Sequence, residues 1–171
     1  MLEYQDQNCS LTLQEGLNCY YKAFPETTEI FEDNAGSGTL LRDHDCTHVI
    51  FGLDISIEQE SILDTWVLWG TKFEWRYLMG YQKLPQIKKL YKNLYKEFGI
   101  LGFLKIFWKL GSIKRKTIFK ALKMKKKWPF KMPEKYLSMK ILDLREEYGI
   151  KILLPEEMQY VPINRTISKL N

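Results

Sequence analysis

Apolar residues recur at helical spacing along nearly the whole chain, and this period restricts the fold more than any other feature. Residues 11–24 carry such a face and stop before Pro25. Residues 32–38 (Glu-Asp-Asn-Ala-Gly-Ser-Gly) read as a turn-rich loop. A helix then runs from near Thr39 through Ile50 and Phe51, with Gly52 as its stop. Ser56 opens the next one, and Gln59 stands three residues later in a capping-box arrangement. Apolar positions 62, 63, 66, 67 and 69 make its inner face, up to Gly70. Further helices are predicted over 85–97, 100–110, 113–126 and 133–148, and Pro155 and Pro162 break up the tail. Strand-like alternation is scarce, and no Asn-Gly or Asp-Gly hairpin signal occurs. The expected fold is all-α, a single helical domain over residues 1–171.

At 171 residues and 45% apolar composition, one domain can bury a core without disulfides. The three cysteines, Cys9, Cys19 and Cys46, form no Cys-x-x-Cys pair, and their odd number argues against a disulfide framework. The first six residues, Met-Leu-Glu-Tyr-Gln-Asp, resemble neither a secretory signal nor a transit peptide. The longest apolar run, 98–110, is interrupted by Lys105 and Lys109 and is shorter than the roughly 20 residues a bilayer span needs. These features point to an intracellular protein, either cytoplasmic or peripheral on the inner face of a membrane.

Charge divides the chain. Residues 1–82 carry four Lys/Arg against fourteen Asp/Glu; residues 83–131 carry sixteen against one, Glu97. An acidic N-terminal part therefore precedes a basic middle.

The only two histidines, His44 and His48, fall within five residues of one another in the acidic part. On a helix, positions i and i+4 share a face, so the two imidazoles project together, and Asp45 flanks them three residues before His48. Glu60 sits near the start of the following helix, facing back toward the end of the first, where the helix field favours a carboxylate. Two imidazoles and carboxylates on adjacent turns suit a borderline-soft divalent ion such as zinc. The same spacing also occurs in ordinary surface or core histidine pairs. Cys46, two residues after His44, points about 160° away from it on an ideal helix and reads as a small buried hydrophobe.

The string His44-Asp45-x-x-His48, eleven residues, then Glu60 resembles the signature of the Coq-four family, the coenzyme Q (ubiquinone) biosynthesis proteins. The flanks agree: Val49-Ile50-Phe51-Gly52-Leu53 after the second histidine, Trp128-Pro129, and Leu142-Asp143-Leu144-Arg145-Glu146-Glu147-Tyr148-Gly149-Ile150. The likeness spans about residues 24–150. Only 43 residues precede His44, fewer than is usual in the family, so the resemblance is to a shortened member. It implies that His44, Asp45, His48 and Glu60 ligate zinc or another divalent metal. It further implies work on, or organisation of, chemistry at C1 of a prenylated quinone-precursor head group, an oxidative decarboxylation. Asp45 or Glu60 would then be a proton acceptor, and other quinone-biosynthesis proteins or a second copy of the chain would be partners. Alternatives of another class are a non-catalytic prenyl-lipid-binding scaffold with a structural zinc and a small metal-dependent hydrolase. A thermolysin-like peptidase is disfavoured because Asp45 stands where such enzymes place glutamate, and an HD-type phosphohydrolase because no third histidine exists.

Residues 98–133 contain eleven Lys/Arg and no acid, interleaved with Phe103, Phe107, Trp108, Phe119, Trp128 and Phe130. This composition fits a helix in a bilayer interface, where lysine stems snorkel and rings sit at headgroup depth. Anionic lipid and isoprenoid lipid are the expected partners. A plain solvated face is the simpler reading, and nucleic acid has no supporting motif.

Overall fold

A computed structural model describes residues 1–25, 27, 38–72, 74, 92, 96, 99, 101–102, 104 and 108–160. Among these, helix α1 spans Leu13–Ala23, α2 Gly38–Phe51, α3 Ile57–Gly70, α4 Gly111–Leu122 and α5 Ile141–Tyr148. Short 3-10 turns cover Glu3–Gln5, Glu134–Ser138 and Pro155–Glu157. Two two-residue strands, β1 (Thr71–Lys72) and β2 (Trp128–Pro129), pair in parallel with Thr71 opposite Trp128. The described part is mostly helical, as the apolar period predicts. The loop at 32–38, apart from Gly38, most of the helix expected at 85–97 and about half of that expected at 100–110 lie outside the described residues.

The core joins all five helices. Leu13, Leu17 and Tyr20 of α1 meet Val49, Ile50 and Phe51 of α2, Ile62, Leu63 and Trp66 of α3, Ile113 of α4, and Ile141 and Leu144 of α5. Phe51 and Trp66 stack at 4.5 Å and 12°, which fixes α2 against α3. Gly16 permits a close approach of helices: a Cβ there would lie 2.6 Å from Ile141 Cδ1 and 2.8 Å from Val49 Cγ1. Of the apolar positions expected to face inward on α3, Trp69 is instead largely exposed, because the buried stripe continues through Trp66 to Gly70.

Two local expectations change. The capping box forms at Thr12 and Glu15, where Thr12 Oγ1 accepts from Glu15 N and Glu15 Oε2 accepts from Thr12 N. Ser56 is the N-cap of α3, but its hydroxyl donates to Asp54 Oδ1 at 2.6 Å, and Gln59 Nε2 donates to Asp54 Oδ2 at 2.8 Å. A carboxylate is the stronger acceptor, so Asp54 organises this turn in place of a Ser56–Gln59 box. The expected helix at 133–148 is also divided. Leu13 N donates to Met139 O, and Ile141 N donates to Leu11 O, which holds the chain extended between the 3-10 turn and α5.

Arg145 of α5 is fully buried and donates to five backbone carbonyls, Tyr4 O, Asp6 O, Gln7 O, Val49 O and Ile50 O. Burial lowers its pKa to about 10, so the guanidinium stays charged at neutral pH. Two of its acceptors are last-turn carbonyls of α2, where a cation also complements the helix dipole. Replacing it as Arg145→Met removes the guanidinium donor from all five carbonyls, of which Asp6 O and Val49 O keep a backbone donor in Cys9 N and Gly52 N. Urea unfolding is expected to show a loss of roughly 3–5 kcal/mol; a loss below about 1 kcal/mol would mean the clamp is dispensable.

Candidate metal centre

The turn between α2 and α3 sets the geometry. Gly52 takes φ +71°, a left-handed conformation that suits glycine, and Leu53 N donates back to His48 O at 2.9 Å, ending α2. Three residues later comes Ser56, the N-cap of α3, and Glu60 N donates to Ser56 O in the first turn of that helix. The short reversal therefore sets the last turns of α2 beside the first turn of α3.

His44, His48 and Glu60 are thereby brought together, each offering one ligand atom within 4.8 Å of the others. The imidazoles meet edge to face, with ring centroids 4.9 Å apart at 71°. His48 Nε2 lies 3.2 Å from Glu60 Oε1. Two ligands at about 2.1 Å from a tetrahedral ion stand roughly 3.4 Å apart, so this pair already has co-ligand spacing. His48 is fully buried, with its Nε2 facing the Glu60 carboxylate and its Nδ1 without a hydrogen-bond partner among the described residues. The donor set and the His48–Glu60 spacing both fit a divalent ion.

Asp45, expected as a fourth ligand, is buried and lies outside this three-donor group. Its Oδ1 is 3.5 Å from His44 Nδ1, close to the ring nitrogen of its neighbour. A carboxylate beside one imidazole nitrogen fixes the tautomer and orients the other nitrogen. Cys46 is fully buried with its thiol pKa pushed up, first by burial and then by the charges of Asp45 and Asp43, and is not a member of the group.

Three neighbours do not figure among the site residues expected from the sequence. Tyr20 of α1 lies against His48 with ring centroids 5.4 Å apart. Tyr21 faces Asp45; burial and then the Asp45 charge hold its hydroxyl protonated. Asp64 of α3, one turn beyond Glu60, keeps solvent access. Its carboxyl is pushed up to about 6, first by the protein crowded around it and then by Glu60, while His44, Lys114 and His48 pull it back. Only Asp64 had a readable cue, the i+4 spacing from Glu60.

Burial acts to lower the His44 pKa, but the carboxylates of Asp45, Glu60 and Asp64 outweigh it and raise it. Burial acts to raise the Glu60 pKa, and the two histidines outweigh it and lower it. An ion must displace the proton held on His44, whereas Glu60 is already ionised. Zinc affinity in chelator competition is therefore expected to climb with pH through the ordinary histidine range and to level off only above it. Affinity unchanged between pH 5.5 and 8 would contradict ligation by His44.

No protein-family model, curated protein or solved structure matches this chain.

Proposed function

We propose that this chain is a metal-dependent peripheral-membrane protein of the Coq-four kind, acting on or organising head-group chemistry of a prenylated quinone precursor. The observation that carries the metal part is the convergence of His44, His48 and Glu60 across the α2–α3 turn, at the spacing that resembles the family signature. Zinc or another divalent ion bound there would polarise an oxygen of a head group. The chain's own residues would hold the ion, orient His44 through Asp45, and offer Glu60 or Asp45 as a proton acceptor beside the reacting group.

Surface chemistry supports the lipid part. The exposed stripe of α4 carries Arg115, Lys116, Phe119, Leu122 and Lys123, at positions that fall on one helical face. Phe119 and Leu122 are 66% and 62% exposed, and Trp108 just before the helix is 82% exposed, so rings and basic stems are offered together. On α3, the more accessible positions run from Glu60 through Asp64 to Val67 and Leu68, leading from the metal centre toward apolar surface. Among the described residues no helix is long and apolar enough to cross a membrane. Lys125 and Lys126 are engaged with α5, through Glu146 O and Glu147 respectively, which leaves the α4 stripe as the better surface to test.

Two measurements test the reading. Purified protein is expected to hold close to one equivalent of divalent metal and His48→Ala close to none; equal metal content in both would remove the site. Flotation with phosphatidylserine-containing vesicles is expected for the wild type. It should fall at least tenfold in a variant combining Phe119→Ser, Leu122→Ser and Arg115→Glu, and unchanged flotation would remove the membrane claim.

A further inference from the structure

We propose that Tyr20 of α1 is a positioning residue of the metal centre, holding the His48 ring in the plane that presents its Nε2 toward Glu60. This deepens the metal-centre reading and rests on it. The torsion that turns an imidazole about its Cβ–Cγ bond is broad, so the plane of a ligand ring has to be fixed by its surroundings. At His44 a carboxylate can do this, since Asp45 Oδ1 stands 3.5 Å from Nδ1. His48 has no such group behind it. Its Nε2 lies 3.2 Å from Glu60 Oε1, and its Nδ1 has no hydrogen-bond partner among the described residues. Packing holds the ring instead. Tyr20 lies against it with centroids 5.4 Å apart and planes inclined at 33°, and His44 meets it edge to face at 4.9 Å.

The packing of α1 on α2 builds this contact. Tyr20 is 1% exposed and His48 is not exposed at all, so neither ring can turn without moving its neighbours. Three further rings surround Tyr20 and fix it in turn: Phe24 at 5.3 Å, Tyr21 at 5.8 Å and Tyr4 at 6.4 Å. Gly16 stands four residues before Tyr20, on the same face of α1, and a Cβ there would lie 2.8 Å from Val49 Cγ1. Val49 follows His48 on α2, so the missing side chain at Gly16 lets α1 come close enough for Tyr20 to reach the histidine ring. The three-donor group takes no ligand from α1, yet through Tyr20 this helix sets the attitude of one of its members.

Zinc affinity by chelator competition and the cobalt(II) d–d spectrum both read ligand geometry, which packing that served stability alone would leave unchanged. Tyr20→Leu is expected to bind zinc roughly ten- to a hundredfold more weakly than the wild type and to shift the cobalt spectrum. Tyr20→Phe, which keeps the ring, is expected to restore both. Wild-type affinity and spectrum in Tyr20→Leu would overturn the proposal, and so would an equal loss in Tyr20→Phe. A measurement on the wild type stands even if Tyr20→Leu folds poorly: the zinc-loaded protein is expected to give nuclear Overhauser contacts between the Tyr20 and His48 rings, and their absence would overturn it too. If the wild type binds neither zinc nor cobalt, the metal-centre reading itself fails and this proposal with it.

Discussion

A guanidinium sealed from water needs acceptors for its donors, and in this fold Arg145 finds them on the backbone of two other segments. It holds the N-terminal 3-10 turn through Tyr4, Asp6 and Gln7, and the end of α2 through Val49 and Ile50. The α2 end is the helix turn immediately after His48. A residue near the C-terminal end of the described chain therefore fixes where the helix that carries His44 and His48 stops, and with it the entry into the α2–α3 turn. Gly52 and Asp54 complete that turn, the first by adopting a left-handed backbone and the second by gathering Ser56 and Gln59. The candidate site thus depends on backbone geometry set by buried polar groups and on the Phe51–Trp66 stack.

Much of this was legible in the residues. The two helices that carry the site, their boundaries at Phe51 and Ser56, and the pairing of His44 with His48 follow from spacing alone, because i,i+4 geometry is local. Glu60 comes within 3.2 Å of His48 because the connecting turn is short. Long-range polar contacts were not legible. The partners of Arg145 are carbonyls 95 to 141 residues away in sequence, and a carbonyl has no side-chain signature. The division of the 133–148 segment came from backbone pairing with residues 11–13, which again leaves no mark in a hydrophobic pattern.

The site itself shows the same split. Sequence could nominate Asp45 as a ligand, since it sits between the histidines, but not which nitrogen of His44 it would approach. Only the packed structure places it 3.5 Å from His44 Nδ1 and brings Tyr20 and Tyr21 of α1 against His48 and Asp45. Likewise, the basic run was plain from composition, yet which lysines remain available depended on α5 engaging Lys125 and Lys126. Surface function is therefore better argued from the exposed stripe of α4 than from the count of charges.

The central claim is that imidazoles from α2 and a carboxylate from α3 bind one ion. Zinc K-edge X-ray absorption of the zinc-loaded protein tests it most directly. The account predicts a low-coordinate N/O shell with the multiple scattering of two imidazoles and no sulfur. An all-oxygen shell without imidazole scattering, or a sulfur shell, would contradict it.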